Sequence, residues 1–223
     1  MRLRDYDLIL LDCDGVVLNS NGVKSDAFYA AAESYGGAAA RELLAYHKAN
    51  GGISRYKKFR YFLEEIVGRE FNEAEYEDLL SRFAAAVKAG LAGAEVAPGL
   101  LPLREATRGS VWKIVSGGDQ QELRDTFDAR DLALLFDGGI FGSPSSKEAI
   151  LERETVGFER ALFVGDSKYD YKVAREAGAD FVFVSDWTEV EDWAGWCRSE
   201  GIRERRNLLE IVSAFGNADA SRA

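Results

Sequence analysis

The chain has 223 residues, 47 % of them hydrophobic and 30 % charged, the proportions of a globular protein rather than a disordered one. Lys and Arg number 28 against 38 Asp and Glu, and a net charge of −10 argues against nucleic acid or an anionic membrane surface as partner. The single histidine, His47, excludes a two-histidine metal site, while two cysteines, Cys13 and Cys197, cannot build a disulfide framework and fit a reducing cytoplasm.

The first predicted element is a short apolar strand, Leu8–Leu11, far too short for a membrane span. From Asn21 to about Glu95 the pattern is helical throughout. Ser54 to Val67 is its clearest part: Tyr56, Phe59, Phe62, Leu63, Ile66 and Val67 share one face behind a Ser54 N-cap. Asn50-Gly51-Gly52 ends the helix before it. Apolar strands then recur at Val111–Val115, Ala161–Val164 and Phe181–Val184, with helices expected near 99–108, 119–129, 147–153 and 168–178. Near-continuous apolar strands alternating with helices predict an α/β fold, a doubly wound, Rossmann-like parallel sheet. The expected division is a core of residues 1–20 and 95–223 and a small all-helical insert, 21–94, after the first strand. Trp187, Trp193 and Trp196 read as packing residues.

Open parallel sheets build their sites at the carboxyl ends of the strands. There the sequence places Asp12-Cys13-Asp14-Gly15, Ser116-Gly117-Gly118 and Gly165-Asp166-Ser167, with Asp170 shortly after and Lys147 opening the helix before Ala161–Val164. Asp12, Asp14, Asp166 and Asp170 repel one another unless a cation sits among them, and all-oxygen ligation selects a hard ion such as Mg²⁺. Mg²⁺ beside a lysine, a hydroxyl and free backbone N–H groups is an arrangement for handling phosphate.

The order and spacing of Asp12-Cys13-Asp14-Gly15-Val16-Val17, Ser116, Lys147 and Gly165-Asp166-Ser167-Lys168-Tyr169-Asp170 resemble the haloacid dehalogenase superfamily of phosphatases. The resemblance is to the branch of phosphoglycolate phosphatases and β-phosphoglucomutases, in which a helical cap follows the first strand. It implies a hydrolase of small phosphorylated metabolites such as phosphosugars. Asp12 would be the nucleophile that forms an aspartyl-phosphate, and Asp14 the acid and base. Mg²⁺ would be held by the Asp12 carboxylate, the Asp14 carbonyl and Asp166, with Asp170 supporting the ion or orienting Lys147. Ser116, the Gly117 amide and Lys147 would hold the phosphoryl oxygens. Asp14 separates the chain from the dehalogenase branch. The segment Gly142–Ser146 departs from the Lys-Pro-x-Pro pattern of many relatives.

Other readings of the same residues stand beside this one. Ser167 with Asp170, and Asp119 with Glu122, also read as capping boxes. A sugar phosphomutase would use the same core and return the phosphoryl group to substrate. A phosphonate-cleaving relative would need an amine from the cap, for which Lys48, Lys57 or Lys58 stand available. A phospho-receiver module has a similar acid cluster, but its acceptor lies on a later strand and it has no cap.

Residues Arg41 to Arg60 hold six Lys or Arg and one acid in an otherwise acidic chain. This patch predicts a cap loop that meets a second polar or anionic group of the substrate through His47, Lys48, Arg55 and Lys57, with Gly51-Gly52 allowing close backbone approach.

Overall fold

A computed structural model describes residues 2–215. Among these residues six strands form one sheet: β1 (Leu8–Leu11), β2 (Val111–Asp119), β3 (Gly139–Ser143), β4 (Ala161–Gly165), β5 (Asp180–Val184) and β6 (Arg203–Arg205). Their order is β3-β2-β1-β4-β5-β6, and every pairing is parallel. The chain first winds outward from β1 to β3, then crosses to the other side of β1 to begin β4. That reversal puts a switch point beside the carboxyl end of β1, where crevices open in such sheets.

All four residues of β1 are buried, because side chains two apart face opposite layers from their neighbours and both layers are covered. Ile9 and Leu11 join Trp112, Ile114 and Val164 on one face, while Leu8 and Leu10 join Val115, Phe163 and Phe183 on the other. The second face is closed by Ile150 and Leu151 of α7 (Lys147–Glu154) and by Val173 of α8 (Lys168–Glu176). Trp193 stacks on Phe183 and Trp196 meets it edge-on, with ring centroids 6.1 and 5.5 Å away, as expected of packing residues.

From Asn21 to Leu91 every regular element is helical: α1 (Asn21–Ala32), α2 (Gly37–Ala49), α3 (Arg55–Tyr61) and α4 (Glu73–Leu91). Phe28, Phe59 and Phe83 form their aromatic centre, with centroids 4.3 to 5.7 Å apart. The chain returns to the sheet through α5 (Leu100–Ala106); α6 (Gln120–Ala129), α9 (Trp193–Glu200) and α10 (Leu208–Phe215) complete the helices. No helix of the described residues is long and apolar enough to cross a membrane.

The continuous helix expected over Ser54–Val67 ends at Tyr61 and passes into a π-helical turn, Phe62–Ile66. The wider turn keeps Phe62 and Leu63 fully buried while Ile66 lies half-buried. Ser54 occupies the cap position, but its side chain makes no capping hydrogen bond. The strands β3 and β6 add to the four apolar runs. Both are poor in branched apolar residues: β3 carries two glycines and β6 is Arg-Glu-Arg on the outer edge, where a charged strand discourages further pairing.

Candidate active site

The backbone leaves β1 through Asp12, whose N–H still donates to the Val164 carbonyl of β4, and then turns sharply. The Cys13 carbonyl accepts from the amides of Val17 and Leu18, and the Gly15 amide donates to the Leu18 carbonyl. Gly15 lies at φ +75°, and a Cβ there would stand 2.1 Å from Asp166 Oδ2. Only glycine combines that backbone conformation with space for the acid from β4.

This turn and the β4–α8 junction gather the acids. Asp12, Asp166 and Asp170 are all buried, and each offers a carboxylate oxygen within 4.8 Å of the others. Lys147, at the first position of α7, reaches in with Nζ 2.9 Å from Asp12 Oδ2 and 2.6 Å from Asp170 Oδ1. Its cation is misplaced for the helix dipole and well placed for the acids. Asp170 also closes the capping box of α8: its Oδ2 accepts from the Ser167 amide at 3.1 Å and the Ser167 hydroxyl at 2.6 Å. Capping and support of the cluster therefore coexist in one side chain. Asn21, opening α1, donates Nδ2 to Asp166 Oδ2 at 2.7 Å and to the Trp187 carbonyl at 2.8 Å.

Asp14 stands apart from the triad. Its Oδ1 accepts from Ser20 Oγ at 2.6 Å, and its Oδ2 pairs closely with Lys24 Nζ. Ser20 and Lys24, one turn apart at the start of α1, grip the acid from one face.

The electrostatics differ sharply between the two neighbouring acids. Burial raises Asp12 to about 7, with the charges of Asp170 and Asp14 adding and Lys147 opposing. Burial, then Asp12 and Asp170, likewise drives Asp166 well above the usual range. Burial also works against Asp14, but Lys24 and the Ser20 hydroxyl outweigh it and hold Asp14 below its ordinary value. Lys147 remains firmly protonated: burial disfavours its charge, and Asp12 and Asp170 more than restore it. Buried carboxylates gathered this closely, two of them, Asp12 and Asp166, with raised pKa values, make an all-oxygen setting that suits a hard cation.

Ser116 ends the apolar part of β2, fully buried, with Oγ accepting from the Gly118 amide at 3.0 Å. Gly117 and Gly118 line a cavity that also touches Asp12, Asp14 and Asp166. Its opposite wall comes from the helices, including Phe28, His47, Arg55, Lys58 and Phe83. Gly51 and Gly52 line the cavity too, and the Gly52 carbonyl approaches Gly117 so closely that a Cβ on Gly117 would lie 2.2 Å away.

Of the four residues expected to recognise substrate from the helical segment, His47, Lys48 and Arg55 line this cavity. Lys57 does not. It projects from the exposed face of α3, and its neighbour Lys58, rotated about 100° around the helix, is the one buried in the cavity wall. Arg55 is held by Glu122 in a two-pronged contact at 3.0 and 2.5 Å, and Tyr56 donates to Asp119 at 2.7 Å. The capping box expected of Asp119 and Glu122 forms only in half: the Glu122 amide donates to Asp119, while its carboxylate ties α3 to α6 instead of reaching back to the cap. Lys48 lies half in solvent, 3.6 Å from Glu189. Sequence reasoning missed Lys24, Glu122 and Glu189 as site residues. The Ser20–Lys24 spacing on α1 was a usable signal for the first; the other two depend on docking of the helices against the sheet.

The model for haloacid dehalogenase-like hydrolases matches residues 6–178, most of the chain, and the protein belongs to that family. No curated protein sequence matches the chain significantly. Among solved structures, a family IA, variant 3 hydrolase of this class from Entamoeba histolytica superposes with a TM-score of 0.74 at 14% identity, covering 94% of this chain and 97% of that one. CbbY from Rhodobacter sphaeroides, solved in complex with phosphate, gives 0.68 at 20% identity over 92% and 96%. A hydrolase from Pseudomonas syringae gives 0.69 at 17% identity over 93% and 96%. At these identities the three share the fold with this chain.

Proposed function

We propose that this haloacid dehalogenase-like hydrolase is a Mg²⁺-dependent phosphomonoesterase acting on a small phosphorylated metabolite, with residues 21–94 serving as a helical cap over the site. The observation that carries the reading is the placement of Asp12. A buried carboxylate at the end of the central strand opens into the cavity, flanked by Lys147, the acids Asp166 and Asp170, and the second acid Asp14. CbbY, which shares the fold, has been solved with phosphate and with xylulose-(1,5)bisphosphate bound.

Asp12 attacks phosphorus, the ester P–O bond breaks, and an aspartyl-phosphate forms. Asp14 passes a proton to the leaving oxygen and then takes one from the water that cleaves the aspartyl-phosphate. To do the first it must exchange its contact with Lys24 for one with the leaving oxygen, since the pair as built favours the ionised acid. Lys147 holds Asp12 in place, and with Ser116 and the Gly117 amide it faces the phosphoryl oxygens. Bound by the carboxylates of Asp12 and Asp166 and the Asp14 carbonyl, with Asp170 behind, Mg²⁺ would neutralise charge on the phosphoryl group.

The test is a panel of phosphomonoesters with Mg²⁺, scored by phosphate release, on native protein and Asp12→Asn. The native enzyme releases phosphate and is silenced by EDTA. The amide variant folds, being isosteric, and turns over nothing. Substantial turnover by folded Asp12→Asn protein refutes the mechanism.

A further inference from the structure

The start of α1 gives up the cap that its sequence could make. Ser20 stands at the cap position with Asn21 after it, and both residue types are favoured at helix starts because their side chains accept backbone N–H groups. No side chain caps α1. Ser20 Oγ donates to Asp14 Oδ1 instead, at 2.6 Å. Asn21 Nδ2 donates to Asp166 Oδ2 at 2.7 Å and to the Trp187 carbonyl at 2.8 Å, which uses both hydrogens of its amide. A carbonyl can only accept, so the Trp187 contact fixes which end of the amide faces the acid. Local helix chemistry does not account for Asn21, and departures of that kind concentrate at functional sites.

Asp166 is gripped at two points with help from the same loop. Its backbone carbonyl accepts from Thr188 Oγ1 at 2.6 Å, and the neighbouring Trp187 carbonyl anchors the amide that holds its carboxylate. Asp166 Oδ2 and Asn21 Nδ2 both crowd Gly15: a Cβ there would stand 2.1 Å from the first and 2.5 Å from the second. One oxygen of the carboxylate is therefore packed and tied. The other, Oδ1, has no hydrogen-bond partner among the described residues, and Asp166 lines the cavity. Carboxylates that ligate metal ions are oriented by hydrogen bonds of this kind.

We propose that Asn21 is a positioning residue for the metal site: its amide ties Asp166 Oδ2 and leaves Oδ1 for the ion. The inference rests on the reading of Asp12, Asp166 and Asp170 as a Mg²⁺ site. It makes the helical segment a contributor to metal binding, since Asn21 opens α1 while Asp166 follows β4 of the sheet. The competing role is mechanical, with Asn21 only fastening α1 to the loop at Trp187. Ser25 supplies the comparison. It lies one turn further along α1, is buried, and donates to Glu189 of the same loop at 2.8 and 3.0 Å. Ser25 thus fastens the helix without touching the acids.

The test is calorimetric titration of Mg²⁺ into native protein, Asn21→Ala and Ser25→Ala, with the Tm of each taken in EDTA. None of these readouts depends on turnover. Native protein should bind the ion, and Asn21→Ala should bind it about tenfold or more weakly, the loss typical when a ligand's hydrogen-bond partner is removed. Ser25→Ala should lower Tm through its lost hydrogen bond yet keep Mg²⁺ affinity within about threefold of native. If Asn21→Ala does not fold, Asn21→Ser takes its place. A serine hydroxyl is a bond shorter and carries a single hydrogen, so it cannot bridge Asp166 and Trp187, and the same loss is expected. Affinity within about threefold of native in the Asn21 variant overturns the proposal even where Tm falls, and leaves Asn21 a fastener of α1. Equal weakening in Asn21→Ala and Ser25→Ala also overturns it, because the seating of α1 would then be the cause. Native protein that binds no Mg²⁺ overturns the reading of the acid cluster and this proposal with it, so the native titration tells the two failures apart.

Discussion

Metal binding at the acid cluster should stabilise the fold in a pH-dependent way, and the sign follows from the titration of Asp12 and Asp166. In the metal-free fold Asp12 keeps its proton up to about 7, whereas in the unfolded chain it releases it near 3.8. Between those values the folded state binds more protons than the unfolded one, so stability falls as pH rises through the window. At roughly 1.4 kcal/mol per pKa unit, Asp12 alone corresponds to about 4 kcal/mol of stability forgone by neutral pH. Asp166, also raised, acts in the same direction. Asp14, held low by Lys24, contributes stability that is lost only on acidification below its unfolded value, so it adds no slope within this window. Lys147 stays charged throughout this range and contributes equally at each pH. A divalent ion takes the place of those protons, so its affinity rises with pH. Free Mg²⁺ at about a hundred times its dissociation constant adds about 2.7 kcal/mol, or about 5 to 10 °C in Tm for a chain of this size. The assay is thermal unfolding by circular dichroism in EDTA and in Mg²⁺ at a series of values from about pH 5 to about pH 8. The gap between the two curves should widen towards high pH and close in Asp166→Asn. A gap that is constant with pH, or that survives in Asp166→Asn, refutes the assignment of the cluster.

Gly15→Ala should be damaging beyond its size: left-handed backbone costs about 1 kcal/mol, and a Cβ 2.1 Å from Asp166 Oδ2 must displace the acid. Calorimetry should find Mg²⁺ affinity lowered by about tenfold or more, and unchanged affinity would count against the cradle. Arg55→Ala and Glu122→Ala should each lower Tm, and their double-mutant cycle should return a coupling of about 1 to 2 kcal/mol; strict additivity would mean that the bridge between α3 and α6 contributes nothing. Asp14→Asn should cost alkyl phosphates far more than p-nitrophenyl phosphate, whose leaving group needs little protonation, and equal losses would remove the acid role.

The four strands covered on both faces were legible because burial on two sides demands an unbroken apolar run, and β1, β2, β4 and β5 supply one. β3 and β6 were not, since an outer strand needs less apolar surface: Gly139–Ser143 reads as a loop and Arg203–Arg205 as a charged turn. The acids were legible for a similar reason. A strand end fixes where the next residues point, so Asp12, Asp14 and Asp166 could be placed without tertiary detail. The helical wall of the cavity gave no such purchase. Whether Lys57 or Lys58 faces inward depends on the rotation of α3, and that rotation is set by Phe59, Phe62 and the π-helical turn packing against α1 and α4. The partner of Arg55 was hidden because Glu122 has a sufficient local explanation at the start of α6.

On the proposed mechanism Asp12 and Asp14 divide the labour of a two-step hydrolysis, and their surroundings differ in the way that division requires. Each has a lysine, yet the outcomes are opposite. Lys147 is shared between Asp12 and Asp170 and stands against the repulsion of a whole cluster, so Asp12 remains hard to ionise until further positive charge arrives. Lys24 serves Asp14 alone, aided by Ser20, and keeps it ionised. Environments that push two acids apart in this way separate a nucleophile from an acid–base residue. The pairing also sets the order of difficulty in the reaction. On that mechanism an ionised Asp14 is ready to take a proton from water in the second step, whereas in the first it must acquire a proton and leave Lys24. Proton delivery to the leaving oxygen is therefore the step most exposed to the strength of the Lys24 contact. Esters with poor leaving groups should feel the loss of Asp14 most, and the pH dependence of their cleavage should follow this pair rather than Asp12.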